Sequence, residues 1–147
     1  MCLFRESILI STEIQNHELK LFLTYFCQRT DFDLGLFMTL YKDTDEKTVI
    51  KILAHFKENL KDCADILIAA SQNKDIDLTT KAIHKIAGSS ELLGFKLYAD
   101  RSRDLIKKLR SVLVYDHHIS DIEAYLSYTQ ELSCSISLNF KTLDSFL

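Results

Sequence analysis

Residues 82–95 read Ala82-Ile83-His84-Lys85-Ile86-Ala87-Gly88-Ser89-Ser90-Glu91-Leu92-Leu93-Gly94-Phe95. The apolar residues recur at helical spacing, and one histidine stands among them. Two of the chain's three glycines, Gly88 and Gly94, fall in the same stretch. Glycine inside a helix costs roughly 1 kcal/mol relative to alanine. A glycine one turn after a lone histidine therefore calls for a reason.

At about 100° per residue, Ile83, Ile86, Ala82, Leu78 and Leu93 fall in the half opposite His84, with Thr79, Ser89 and Ser90. That half is the expected core face. Asp77, Thr80, Lys81, Ala87, Gly88 and Glu91 fall within about 60° of His84. The wheel thus predicts a solvent-facing imidazole over a shallow clearing made by Ala87 and Gly88. Glycine makes sense there if another protein must approach the backbone closely.

The rest of the chain continues the helical pattern. It has no proline and no low-complexity linker, which favours long helices over a turn-rich β fold. An amphipathic segment is expected over about residues 13–29, with Ile14, Leu19, Phe22, Leu23 and Phe26 apolar, and a shorter one over 34–41. Lys42-Asp43-Thr44-Asp45 supplies capping residues for a long helix over about 46–71. Val49, Phe56, Leu60, Cys63 and Leu67 form its seam.

The histidine helix is expected over about 77–93. A further helix covers 96–111, with Leu97, the stem of Arg101, Leu105, Leu109 and Val112 inward, and a last one begins near Ser120. The expected fold is all-α: an antiparallel four-helix bundle over residues 31–138, an accessory helical segment over 1–30 and a tail over 139–147 that is either loose or docked.

The chain's 147 residues suit one core. Net charge is −3 without a basic block, so nucleic acid is not an expected partner. No apolar run is long enough to span a bilayer, and Arg5 and Glu6 break the N-terminal apolar stretch early, against a signal peptide. Cysteines at 2, 27, 63 and 134 contain no CxxC pair and read as reduced cytoplasmic thiols. The adjacent His117 and His118 lack the further ligands a metal needs.

A free imidazole titrates near ~6.5 and is a good nucleophile at neutral pH. It can accept a phosphoryl group on one ring nitrogen, and nearby cations stabilise the charge that arrives. Lys81, one turn back, and the adjacent Lys85 are the candidates. The chain has neither a GxxxxGK[ST] loop nor a kinase-type glycine-rich loop. Phosphate would have to come from another protein.

His84-Lys85-Ile86-Ala87-Gly88-Ser89-Ser90, with Gly94 and Phe95, resembles the signature of histidine-containing phosphotransfer (HPt) domains, roughly H-x-L-K-G-S-S-x-x-x-G. The likeness extends over about residues 31–109, through Phe32-Asp33-Leu34, Asp43, Phe56 and Arg103 to Leu105.

The resemblance implies a stand-alone phosphorelay carrier, itself no enzyme. His84 would take a phosphoryl group from a receiver-domain aspartate and pass it to another receiver aspartate. Lys81 and Lys85 would stabilise the phosphate, and Asp77, Thr80, Ala87, Gly88 and Glu91 would form the docking face. The implied partners are response-regulator receiver domains and a hybrid histidine kinase, with Mg²⁺ in the partner receiver and no cofactor or metal on this chain. A monomer is expected. One residue departs from the pattern: Ala87 stands where lysine is usual. The alternative reading is an interaction protein that binds a receiver or kinase without transferring phosphate.

Overall fold

The computed structural model describes residues 4–147 of the chain, with side chains from Arg5 onward. Among the described residues every regular element is helical. Seven α-helices run α1 (Phe4–Glu13), α2 (His17–Phe26), α3 (Leu34–Asp43), α4 (Glu46–Asn73), α5 (Ile76–Leu92), α6 (Lys96–Ser111) and α7 (Ile119–Asn139). Short 3-10 turns lie at Tyr115–His118 and Leu143–Phe146.

Side-chain caps explain where several helices start. Asn16, Asp33, Asp45 and Asp75 are extended residues whose side chains accept from the backbone N–H three residues on, opening α2, α3, α4 and α5. The long helix α4 ends on Lys74 at φ 52°, a left-handed cap.

The first expected segment, over residues 13–29, is not one helix. The chain breaks at Ile14-Gln15-Asn16, and the N–H groups of Gln15 and Asn16 both donate to the Glu46 carboxylate at the start of α4. That carboxylate satisfies donors a continuous helix would have used internally.

Helix α4 packs on α5 and α7, while α6 packs on α5 and α7, so the four helices contact one another in a closed circuit. The α4–α5 and α5–α6 links are very short. Helix α2 lies against α7 and sends Phe22 and Phe26 fully into the core. There they meet Phe32, Phe37, Phe95 and Phe140. The C-terminal tail docks: Phe140 and Leu143 are buried and Lys57 pairs with Asp144 at 2.7 Å.

A second polar layer ties α6 to α7. The Tyr98 hydroxyl lies 2.7 Å from Thr129 Oγ1, and Ser102 Oγ lies 2.7 Å from the Tyr125 hydroxyl. Burial raises both tyrosines above their ordinary range.

Three residues expected inward are instead exposed. Leu78 lies in the first turn of α5, and Leu97 in the first turn of α6. Val112 follows α6, where the backbone has turned extended. Each sits at a helix end, beyond the cover of neighbouring helices. Arg101 lays its guanidinium over the Tyr128 ring at 5.7 Å rather than burying its stem. No helix among the described residues is long and apolar enough to cross a membrane.

Candidate functional site

Helix α5 is fixed from below and at its C-terminal end, and His84 stands on the side left free. Thr79, Ala82, Ile83, Ile86 and Ser90 are buried beneath it. Cys63 of α4 packs against this underside with its Sγ 3.8 Å from the Ala82 carbonyl oxygen. Burial pushes its thiol up to about 12, which makes it a core residue and not a nucleophile. Ser89 and Ser90 both donate their hydroxyls back to the Ile86 carbonyl, at 3.1 and 2.6 Å. They are therefore local helix partners rather than reactive groups.

The helix ends on Gly94, at φ +94°. Phe95 N–H reaches back to the Ser90 carbonyl at 2.9 Å, and the Gly94 carbonyl accepts from Asp33 N–H at 2.8 Å. A Cβ at Gly94 would sit 2.5 Å from the Asp33 carbonyl oxygen. The reversal needs glycine both for its φ and for this close approach. Phe95 then stacks on Phe56 at 5.1 Å and anchors the turn.

His84 is exposed, and among the described residues its ring has no hydrogen-bond or ion-pair partner. Gly88, one turn on, is exposed too, and a Cβ there would meet nothing within 4 Å. So Gly88 is not required by packing within this chain, unlike Gly94. The open backbone beside the imidazole is available to something outside the chain.

Asp77, Thr80, Lys81, His84 and Lys85 line one open groove of about 630 Å³. Its other wall comes from Leu109, Arg110 and Leu113 at the end of α6. These three escape the sequence reading because α6 reaches the histidine only through tertiary packing. The apolar run Val112-Leu113-Val114 gives the groove an exposed rim, with Leu113 three-quarters exposed.

The flanking charges are arranged unevenly. Lys81 Nζ pairs with Asp77 Oδ2 at 2.9 Å, and this bond raises the Lys81 ammonium above its usual range. Glu91 is held by Arg103 of α6 at 2.8 Å. Thr80 spends its hydroxyl on the Ile76 carbonyl at 2.8 Å.

Ala87 corrects the expected docking face, for it is buried. It lies about 60° round the helix from His84, on the flank from which Arg103 reaches Glu91. The accessible face is therefore narrower than the wheel implied, and its clearing rests on Gly88 alone.

His117 and His118 diverge. His117 is exposed, whereas His118 is buried with Nε2 2.6 Å from the Val112 carbonyl oxygen. A carbonyl only accepts, so Nε2 carries the proton. Among the described residues no group of three or more His, Cys, Asp or Glu is placed to hold a metal ion. Comparison with protein-family models, curated proteins and solved structures finds no match to this chain.

Proposed function

We propose that this chain is a phosphohistidine carrier of the HPt type, with His84 as the residue that holds the phosphoryl group. The observation that carries the reading is the pairing of an exposed, unpartnered His84 with Gly88, whose side-chain space is empty. The inner face of α5 is buried, so the backbone that carries His84 is already in place for a visitor and little of the helix needs to reorganise.

In this reading α4, α5, α6 and α7 form an antiparallel four-helix bundle, as their short α4–α5 and α5–α6 links and mutual contacts favour. The donor is a receiver domain bearing an aspartyl phosphate, and the protein acts in the cytoplasm. The unprotonated ring nitrogen of His84 attacks phosphorus. An N–P bond forms, the P–O bond to the aspartate breaks, and the electron pair leaves on that carboxylate. The proton on the other ring nitrogen stays in place. Transfer to a second receiver reverses these steps.

This chain contributes the nucleophile, a rigid platform and positive charge. Mg²⁺ belongs to the partner, where it offsets charge on the transferring group. The exposed run Val112-Leu113-Val114 supplies apolar contact at the edge of the groove, to which Leu113 itself contributes.

The test is to mix the protein with Mg²⁺ and a panel of receiver domains charged with labelled phosphate. Wild type is expected to gain acid-labile label, and His84→Gln is expected to gain none. Binding without uptake of label by the wild type would instead make the chain a non-transferring regulator.

A further inference from the structure

The geometry points to Arg110 as the residue that binds the phosphoryl oxygens at His84. This rests on the carrier reading above and deepens it. The usual lysine position is occupied by Ala87, which is buried and carries no charge. The site must find its cation elsewhere.

Three basic side chains line the groove with His84: Lys81, Lys85 and Arg110. Lys81 is already engaged by Asp77 at 2.9 Å, so an incoming anion competes with a carboxylate for it. Among the described residues neither Lys85 nor Arg110 has an ion-pair partner. Lys85 shares the helix of His84 and lies about 100° round it, on the margin of the face.

Arg110 comes from the last turn of α6, across the groove. A group on His84 would project between α5 and this second wall. The planar guanidinium presents several donors in a fixed fork, suited to two phosphoryl oxygens at once. An ammonium offers only a point charge. Arg110 is solvent-exposed, so its place in the sequence is not set by core packing.

Phosphoramidate tests this without any receiver domain. A His84 ring nitrogen attacks phosphorus, the donor's own P–N bond breaks, and ammonia leaves with the electron pair. The initial rate of the new P–N bond on the protein is read by ³¹P NMR for wild type, Arg110→Ala, Arg110→Lys and Lys85→Ala, with His84→Gln as the blank.

Arg110→Ala is expected to slow charging about threefold to tenfold, the range of an exposed charge-assisted hydrogen bond. Arg110→Lys is expected to fall between, and Lys85→Ala to lose less than Arg110→Ala. Added salt should shrink the difference between wild type and Arg110→Ala. A merely structural arginine would show neither the lysine rescue nor the salt effect. If the alanine variant melts early, Arg110→Gln repeats the measurement with the side-chain length kept.

Charging of Arg110→Ala at the wild-type rate, with His84→Gln blank, overturns the role of Arg110 and leaves the carrier reading standing. A larger loss in Lys85→Ala than in Arg110→Ala does the same. A wild type that forms no P–N bond with phosphoramidate or with any charged receiver overturns both.

Discussion

Gly88 and Gly94 lie six residues apart in one stretch, yet they answer to different constraints. Gly94 has φ +94° and leaves no room for a Cβ beside Asp33, whereas Gly88 is helical with open space around it. Gly94→Ala is therefore expected to lower unfolding free energy by about 2 kcal/mol or more. Gly88→Ala should raise it by about 0.5–1 kcal/mol. Chemical denaturation of the two variants checks the opposite signs. If Gly88→Ala proves destabilising, the glycine serves packing, and its use as an access point loses its support. The sequence made both glycines conspicuous but did not separate their roles. That separation depends on the Asp33 carbonyl, which only the folded chain brings to Gly94.

At the level of elements, the connection from α2 to α3 is held by charge as well as by rings. Arg29 bonds Asp31 at 2.7 Å and Glu131 of α7 at 2.8 Å, and the Tyr128 hydroxyl donates to Asp31 at 2.6 Å. Burial pushes Asp31 upward, but the hydrogen bonds from Arg29 and Tyr128 outweigh it and hold the carboxyl below its usual range. A carboxyl depressed in the folded state adds stability above its unfolded pKa, near ~4. That contribution disappears as pH falls through the lower folded value. Asp31→Asn should thus cost about 1–3 kcal/mol at neutral pH. The gap from wild type should close in acid, read from denaturation midpoints across pH. A gap independent of pH would refute the assignment.

Helix positions were largely legible because caps and apolar periodicity are local: α6 spans the expected residues 96–111. The break before α2 had a local signal in the Asn16 cap, but its anchoring was hidden because it depends on Glu46, about thirty residues away. Arg110 was hidden for the same reason, since its proximity to the histidine groove exists only between helices.

For the whole molecule, helix α2 is part of the core. Phe26 is fully buried and its ring meets Phe22 at 4.5 Å, Phe32 at 5.7 Å and Phe95 at 5.4 Å. Phe95 follows Gly94 directly at the end of the histidine helix. The aromatic cluster thus joins α2, the start of α3 and the α5–α6 turn in one packed unit. Phe26→Ala is expected to lower stability by about 3–5 kcal/mol, a large part of the ~5–15 kcal/mol typical of a domain. A thermal or urea unfolding curve shifted by less than about 1 kcal/mol would mean that α2 is peripheral. Helix α2 and the inner face of α5 share this core, so the placement of the helix that bears His84 is a property of the entire fold.

The proposed role of His84 is to carry phosphate. It is tested most directly by locating the modification. The wild-type protein, charged by a phosphorylated receiver in the presence of Mg²⁺, is digested at neutral pH and sequenced by tandem mass spectrometry. Phosphate is expected on residue 84 and on no other histidine. Phosphate on His17, His55, His117 or His118 instead, or a chain that stays unmodified while its receiver loses phosphate to water, would contradict it.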